Sequence, residues 1–414
     1  MWHPCRSDVL CVALLVGTAA AAFVPSGPLT PVVFVPGKGG NQLEAKLDKL
    51  NTVNDCAKRS GWFRIWLDLW SVLVGEECIA ENLLLHYNET TRKSSNYPGV
   101  TTRVPGWGTT KTMEYLDPSW TAWLLGNMGA YAVHLVEGLL KWGYQREKTI
   151  VGAPYDFRYA PHSQDDYYGR VRALIENTYI ANEDTRIVLI AHSMGGLFMH
   201  RFLRQQTDAW KNKYIEAFVT LNTPWSGAVV VAHIYSSGMN WGLRAIDPLV
   251  LRTMHRTHET ASLLFPTGDA WGADDVIVET SERNYSMSNL DEYFMDINFT
   301  RGLEFLENVR DAKENLQHPG VDTYCLYGSG IPTPEMLVYG EGEFPDMQPE
   351  TKMGDGDGTV NLRSLRYCRR WHDGHNSKTV FYSEELPNTG HHRILDHKRI
   401  LDVMQMIFER RLHK

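Results

Sequence analysis

The chain has 414 residues, of which 43% are hydrophobic and 22% are charged, and its formal net charge is −8 with neutral histidines. This length and apolar content suit a large core with a subsidiary domain. The acidic balance gives no reason to expect a nucleic-acid partner, and beyond residue 22 no segment approaches the roughly 20 consecutive apolar residues of a transmembrane helix.

The first 22 residues predict a secretory signal peptide. Arg6 provides a positively charged start, residues 9–16 are apolar, and Ala20-Ala21-Ala22 has the pattern of a small-residue cleavage site. Residues 23–414 are then expected to be lumenal or extracellular.

Four cysteines remain after this segment, and in an oxidising compartment they predict two disulfides. Pairing of sequence neighbours joins Cys56 to Cys78 and Cys325 to Cys368, and it is one of three possible pairings. Acceptor sequences for N-glycosylation fit the same compartment. They occur at Asn88, Asn284 and Asn298.

The histidines make the net charge depend on pH. If all of those beyond residue 22 were protonated, the net charge would change sign. An acidic compartment would therefore favour contact with anionic lipid, except that a buried histidine would not take part.

Residues 31–35 predict a β-strand that ends in a glycine-rich loop. The loop is Pro36-Gly37-Lys38-Gly39-Gly40. Such a loop can supply one oxyanion donor to a nucleophile on a neighbouring strand, and the backbone amide of Lys38 is the candidate. An ordinary turn is the alternative, which this stretch alone favours.

An aromatic segment lies between Cys56 and Cys78. It holds more large apolar side chains than a small loop can bury, and such patches mark partner or membrane sites. One interpretation is a lid or lipid-docking region over residues 50–80, and the other is a core helix held by a disulfide. The candidate lipid-contacting residues are Trp62, Phe63, Trp66, Leu69, Trp70 and Leu73.

Predicted helices and strands alternate through the rest of the chain, which predicts an α/β fold with a mostly parallel, covered sheet. Between them, residues 226–320 are polar and irregular, and we interpret them as an inserted cap domain. Helices are predicted at 129–144, 169–181 and 399–408, and strands at 149–151, 187–190, 217–221, 324–327 and 379–382.

Residues 186–198 have the pattern of a buried strand, a tight turn and a helix. In that setting Ser193 is a candidate nucleophile, because the turn exposes the side chain at its apex. The turn needs small residues two positions away, which here are Ala191 and Gly195. It also directs the amide of Met194 at an oxyanion. A simple helix N-cap is the alternative role for this serine.

A serine nucleophile needs a base and a carboxylate that orients the base. Residues 354–360, GDGDGTV, offer Asp355 and Asp357 as the acid, and His391 and His392 follow the last predicted strand. The order serine, acid, histidine is that of the α/β-hydrolase fold.

Metal binding is a competing explanation of these residues. A calcium loop starting at Asp355 needs a glutamate at its twelfth position, where this chain has Arg366, so we reject it. The histidine spacings near the C-terminus match no usual zinc motif. We expect neither a metal nor an organic cofactor.

These motifs together resemble the lecithin–cholesterol acyltransferase and lysosomal phospholipase A2 family, and most closely its lysosomal branch. The similarity covers nearly the whole chain and is weakest at 226–320. The matching stretches are 35–49, 103–106, 116–118, 152–158, 191–195, 325–328 and 354–360.

The resemblance implies a catalytic triad of Ser193, Asp357 and His391. The residues after His391 depart from the family pattern, so His392 stays as the alternative base. The resemblance also favours the lipid-docking interpretation of the disulfide-bounded segment. Where the lysosomal members carry aspartate, this chain has Lys38, which puts a strictly acidic pH optimum in doubt.

The implied activity is that of a phospholipase A, acting as A1 or A2, and an O-acyltransferase at a membrane surface. An acyl-enzyme would pass its acyl group to water or to a lipophilic alcohol such as ceramide, in the lysosome lumen, outside the cell or both. One alternative is a secreted phosphatidylcholine–sterol acyltransferase. Another, of a different class, is a non-catalytic lipid-binding protein on a hydrolase fold.

Overall fold

A computed structural model of the protein describes residues 28–412, apart from 125, 241–245, 268–269, 314–315 and 375–378. The expected signal peptide, residues 1–22, lies outside the described residues. Within them, no helix is both long enough and apolar enough to cross a membrane.

The described residues form fifteen strands and sixteen α-helices. The strands are β1 (Val32–Val35), β2 (Leu43–Leu47), β3 (Phe63–Trp66), β4 (Leu85–Asn88), β5 (Lys93–Asn96), β6 (Val100–Arg103), β7 (Ile150–Gly152), β8 (Ile187–His192), β9 (Ile215–Leu221), β10 (Val278–Glu279), β11 (Asn284–Tyr285), β12 (Thr323–Ser329), β13 (Ile331–Val338), β14 (Glu350–Gly356) and β15 (Phe381–Pro387). The helices are α1 (Leu69–Val74), α2 (Glu76–Leu83), α3 (Lys111–Glu114), α4 (Trp120–Leu124), α5 (Val133–Lys141), α6 (Asp165–Ala181), α7 (Met194–Arg204), α8 (Asp208–Tyr214), α9 (Val230–Ser236), α10 (Pro248–His255), α11 (Glu259–Leu263), α12 (Leu290–Asp296), α13 (Arg301–Lys313), α14 (Leu362–Leu365), α15 (Trp371–Gly374) and α16 (Arg399–Leu412).

Six strands form the central sheet in the order β15-β12-β9-β8-β1-β7, and each neighbouring pair is parallel. The inner strands β1, β8 and β9 are buried along their whole length. A strand covered on both faces is apolar at nearly every position, which is why these three were predictable. The expected α/β-hydrolase fold with a mostly parallel sheet is confirmed.

Helices cover both faces of this sheet. Val33 and Val35 point to the side where α6 and α7 pack, and Val32 and Phe34 point to the side of α5 and α16. Because alternate residues of a strand face opposite sides, one four-residue strand contributes to both cores. The carboxyl ends of the strands stay uncovered by these helices, and the site lies there.

A second sheet has the order β11-β10-β13-β14. The structure places residues 354–356, the start of the GDGDGTV motif, at the end of β14. The last central strand, expected at 379–382, instead runs over Phe381–Pro387. β14 is largely exposed and β15 is mostly half-buried, so neither carries the continuous apolar signal of a buried strand.

The two disulfides join Cys56 to Cys78 and Cys325 to Cys368. The first closes the aromatic segment, which is neither one helix nor one loop. It contains β3, α1 and the start of α2. The two helices meet at Gly75, which caps the end of α1 and begins α2.

A buried ion pair fixes this segment to the rest of the chain. Lys49 Nζ lies 2.6 Å from Glu81 Oε2 and 2.7 Å from Asn82 Oδ1, and both charged side chains are almost fully buried. Glu81 Oε1 also accepts the backbone N–H of Val53. The pair therefore joins the last turn of α2 to the segment that follows β2.

We expect Glu81→Ala to lower the free energy of unfolding by about 3 kcal/mol or more, because it leaves Lys49 charged and unpaired in the interior. Thermal or denaturant unfolding measures this loss. Asp48→Ala is the matched control, since the nearby Asp48–Arg59 pair is exposed (side chains 80% and 85% accessible) and contributes little. Equal losses in the two variants would contradict this account.

Candidate active site

Ser193 stands at the apex of the turn between β8 and α7. Its backbone has φ +53° and ψ −128°, a conformation that costs a non-glycine residue about 1–3 kcal/mol. The turn is held by the N–H of Ser193, which donates to the carbonyl of Leu221. This conformation turns the hydroxyl toward the side chains that follow the carboxyl ends of other strands.

Two glycines let the glycine-rich loop approach this turn. A Cβ at Gly37 would lie 2.8 Å from Cβ of Ser193, and a Cβ at Gly195 would lie 2.4 Å from the carbonyl oxygen of Pro36. Any larger residue at either position would push the loop and the turn apart. Ala191 is fully buried, and its methyl group is accommodated there.

His391 connects Ser193 to Asp357. Its Nε2 lies 2.9 Å from Oγ of Ser193, and its Nδ1 lies 2.7 Å from Oδ2 of Asp357. The other oxygen of Asp357 accepts the N–H groups of Thr359 and Val360 at 3.0 and 2.7 Å. All three side chains are nearly buried, so a proton can pass from the hydroxyl to the imidazole without competition from bulk water.

The chain brings His391, and not His392, to Ser193. The backbone N–H of His391 donates to the carbonyl of Asp357 at 2.8 Å, which fixes the loop after β15 beside the end of β14. His392 is exposed, and its ring is nearly perpendicular to that of His391, with the two ring centroids 5.3 Å apart. Asp355 accepts the N–H of Gly330 instead of contacting a histidine.

Two backbone amides beside Ser193 have free N–H groups. Within the described part of the chain, neither the N–H of Lys38 nor that of Met194 donates to a protein acceptor. Met194 begins helix α7, where the first N–H groups have no partner inside the helix. Lys38 follows Gly37, which touches Ser193.

A buried hydrogen-bonded chain behind the site was not predicted from the sequence. The hydroxyl of Tyr131 accepts the N–H of Gly37 at 2.9 Å and lies 2.6 Å from Nδ1 of His192. Nε2 of His192 lies 2.9 Å from the carbonyl of His391. Because the tyrosine proton goes to Nδ1, His192 carries its own proton on Nε2 and donates it to that carbonyl. Burial and the neighbouring histidines hold the pKa of His192 well below its usual value, so it stays neutral.

Asn222 supports the same carbonyl from another strand. Its Nδ2 donates to the carbonyl of His391 at 3.1 Å, and its Oδ1 accepts the N–H of Gly328 at 2.7 Å. Asn222 follows β9 directly, as His192 ends β8. A polar residue at the carboxyl end of an apolar strand was the available signal for both, whereas Tyr131 had none.

The proposed lipid-contacting residues fall into three groups by exposure. Trp62 and Trp70 are 42% and 57% exposed, and Phe63, Trp66 and Leu73 are partly buried. Leu69 is only 4% exposed, so the prediction that it faces lipid is wrong. Its N–H donates to Oδ2 of Asp117, and this contact turns its side chain into the interior.

Trp66 belongs to the catalytic neighbourhood. Its Nε1 donates to the carbonyl of Gly39 at 2.8 Å, and its ring lies 5.5 Å from that of Phe157. A Cβ at Gly39 would touch the indole ring. Trp66 therefore packs on the glycine-rich loop and links the aromatic segment to it.

Helix α4 extends the exposed aromatic surface and was not predicted to do so. Trp120, Trp123 and Leu124 are 70%, 72% and 61% exposed. Asp117 holds α4 beside α1, because one of its oxygens accepts the N–H of Leu69 and the other accepts that of Ser119. Neither helix carries a charged side chain.

The predicted glycosylation acceptors are all accessible: the side chains of Asn88, Asn284 and Asn298 are exposed. Among the described residues, no group of three or more histidine, cysteine, aspartate or glutamate side chains is arranged to hold a metal ion.

Comparison with known proteins gives similarity over nearly the whole chain. A family model described as lecithin:cholesterol acyltransferase matches residues 62–403. The lysosomal phospholipase A and acyltransferase of Rattus norvegicus is 39% identical over 405 residues, which cover 97% of this chain and 96% of the relative. The phosphatidylcholine-sterol acyltransferase of Gallus gallus is 41% identical over 371 residues, which cover 89% and 87% of the two chains.

One solved structure shares the fold. A chain in the crystal structure of the Tle4-Tli4 complex aligns with a TM-score of 0.55 at 14% identity, covering 92% of this chain and 98% of that chain. At this identity the similarity concerns the fold alone.

Proposed function

The chain belongs to the lecithin:cholesterol acyltransferase family and is a serine hydrolase of the α/β-hydrolase fold, and from this premise we propose its reaction. It releases a fatty acid from a glycerophospholipid at a membrane surface, as a phospholipase A and transacylase. The hydrogen-bonded line from Ser193 through His391 to Asp357 is the observation that carries this proposal.

The first half of the reaction forms an acyl-enzyme. His391 takes the proton of Ser193 as Oγ attacks the ester carbonyl, and Asp357 stabilises the imidazolium. The amides of Lys38 and Met194 donate to the oxyanion of the tetrahedral intermediate. His391 then gives its proton to the leaving oxygen, and the lysophospholipid departs.

The second half divides between two acceptors. Water yields a free fatty acid, and a lipophilic alcohol such as ceramide yields an ester of that alcohol. The residues around Ser193 are buried, which limits access of water and lets an alcohol compete. The similarity to the chicken sterol acyltransferase supports a second candidate, in which the acceptor is a sterol.

Acyl transfer in phospholipid liposomes tests this function and separates the acceptors. Liposomes containing equal amounts of ceramide and cholesterol are incubated with enzyme between pH 4 and 8, with Ser193→Ala as the blank. Acylceramide and fatty acid support the proposal, and cholesteryl ester as the main product favours the second candidate. Absence of any Ser193-dependent product would leave a lipid-binding hydrolase fold without catalysis.

We place the membrane contact on the exposed surface formed by α1 and α4. The exposed Trp62, which belongs to the same disulfide-bounded segment as α1, is a further candidate contact. Tryptophan suits the bilayer interface because its ring is apolar while its N–H stays hydrated. The bordering residue Trp66 contacts the glycine-rich loop, so docking there brings lipid to Ser193. Anionic lipid is favoured at acid pH, where exposed histidines gain charge.

We expect Trp70→Ala combined with Trp123→Ala to weaken binding to phospholipid vesicles by about tenfold or more, since each ring loses its contact with lipid. Turnover of a short soluble ester should change far less. Vesicle sedimentation and ester kinetics measure the two effects. Ile180→Ala is the control, because Ile180 is equally exposed (67%) but lies on α6. Equal losses of binding and ester turnover would contradict the docking surface.

We further propose that residues 226–320 act as a cap over the site and that the protein works in the lysosome lumen, outside the cell or both. Contact of Thr260, on α11, with the side chain of Lys38 supports the cap. Two disulfides and three exposed glycosylation acceptors support the compartment.

A further inference from the structure

Lys38 lies in the glycine-rich loop beside the nucleophile Ser193. No carboxylate of the described chain neutralises its ammonium group. Its Nζ donates to Oγ1 of Thr260 at 2.8 Å, and that hydroxyl gives its own proton to the carbonyl of Phe157 at 2.6 Å. An ammonium has three N–H groups, so two of them remain available. The hydroxyl partner is neutral and leaves the charge uncompensated.

The carboxylates around Lys38 already have other partners, and the histidines around it are neutral. Glu259 accepts from the N–H of Ala160 and the hydroxyl of Ser163, and Asp156 pairs with Arg158. On the side of α10 and α11, burial lowers the pKa of His255 to about 3 and that of His258 well below its usual value. These imidazoles are uncharged between pH 5 and 8 and supply no negative charge.

A buried ammonium group without a carboxylate partner is unfavourable, and the described chain supplies no such partner to Lys38. Burial lowers the pKa of Lys38 from 10.5 to about 7. A ligand that brings negative charge and oxygen acceptors would restore both the pairing and the missing hydrogen bonds. The glycine-rich loop therefore presents a small anion site next to Ser193.

We propose that Lys38 binds the phosphate of the lipid headgroup during acylation and makes the enzyme prefer phosphate-bearing lipids to neutral lipids. This inference rests on the proposed function, because it concerns the same ester substrate. The amide of Lys38 lies at the oxyanion. In a glycerophospholipid, the number of bonds from an ester carbonyl carbon to phosphorus matches, to within one bond, the number from a lysine backbone nitrogen to its ammonium nitrogen. The ammonium group of Lys38 can therefore reach the phosphate while its amide donates to the oxyanion.

The test compares two substrates with the same acyl chains, phosphatidylcholine and diacylglycerol, in the same neutral detergent micelles. The readout is the ratio of their kcat/KM values, since any disturbance of the oxyanion hole enters both values and cancels. We expect Lys38→Met to lower this ratio about tenfold or more, through loss of one charge-assisted hydrogen bond.

Two further variants make the test specific. Lys38→Arg keeps the positive charge and should keep most of the preference for phosphatidylcholine. Lys46→Met removes an exposed lysine of β2 and should leave the ratio unchanged. A fall of equal size in Lys46→Met would assign the effect to net charge and overturn the proposal.

The ratio also has a predicted pH dependence. The charged amine binds the phosphate, so the wild-type ratio should fall as the pH rises through and above the Lys38 pKa of about 7. Both substrates use the same triad, so any effect of pH on the triad cancels in the ratio. The ratio should be flat in Lys38→Arg, and a flat ratio in the wild type would contradict the proposal.

Inorganic phosphate separates a lipid headgroup from a free anion. Inhibition of diacylglycerol hydrolysis by phosphate, with the substrate ratio of Lys38→Met unchanged, would show a free-anion site and overturn the lipid assignment. An unchanged ratio without inhibition would also overturn it. If neither lipid is hydrolysed by the wild type, the proposed function itself fails, which is a different result.

Discussion

Ser193→Ala should lower acyl release from phospholipid by about 10⁴- to 10⁶-fold, because it removes the atom that forms the acyl-enzyme. The fold should persist, since among the described residues the Ser193 side chain has one hydrogen-bond partner, Nε2 of His391, and the turn is held by backbone contacts. The measurement is the rate at which fatty acid and transferred acyl product form from liposomes.

The same variant should still bind phospholipid vesicles, because the exposed surface of α1 and α4 is unaltered. If the variant still binds vesicles but no longer turns over phospholipid, the loss of activity lies in the catalytic step and not in membrane binding. Turnover equal to that of the wild type would mean that another nucleophile acts, and the whole assignment of the site would fail.

Asp357→Asn should lower kcat by about 10⁴-fold with little change in KM. An asparagine amide can donate to Nδ1 of His391, which moves the ring proton to Nε2. The imidazole then cannot accept the proton of Ser193, although every ring keeps its place. Steady-state kinetics on a soluble ester, which avoids membrane effects, measures the loss.

Asp355→Asn is the matched control for that variant. Asp355 lies two residues away in the same GDGDG sequence, is exposed, and accepts only the N–H of Gly330 among its described contacts. We expect near wild-type kcat. A loss in Asp355→Asn as large as that in Asp357→Asn would show that the loop conformation, and not the carboxylate on His391, limits catalysis.

The centre of the fold was predictable because its physics is local. β1, β8 and β9 are buried along their whole length, so their sequences are largely apolar, and β1 and β8 are followed directly by the glycine-rich loop and by Ser193. The edge strands β14 and β15 face solvent and carry charged residues, and their bounds were missed. Leu69 was assigned to lipid because composition alone does not show which way a side chain turns.

The supporting contacts of the site were not predictable because they join distant segments. His192 reaches the carbonyl of His391 across 199 positions, and Lys38 reaches Thr260 across 222. Only the folded sheet brings those residues to one edge. Sequence motifs identify the groups that react. The supporting contacts of those groups depend on which distant residues the folded chain brings together.

In the proposed mechanism, one acyl-enzyme on Ser193 serves both hydrolysis and acyl transfer. Phosphatidylcholine, phosphatidylethanolamine and a p-nitrophenyl ester with the same acyl chain are each given to the enzyme in identical liposomes that contain ceramide. The ratio of acylceramide to free fatty acid is measured for each donor. A common intermediate has lost its leaving group before the acceptor arrives, so we expect the same ratio for all three donors. A ratio that changes with the donor would mean that the leaving group is still present at transfer, and it would contradict the acyl-enzyme.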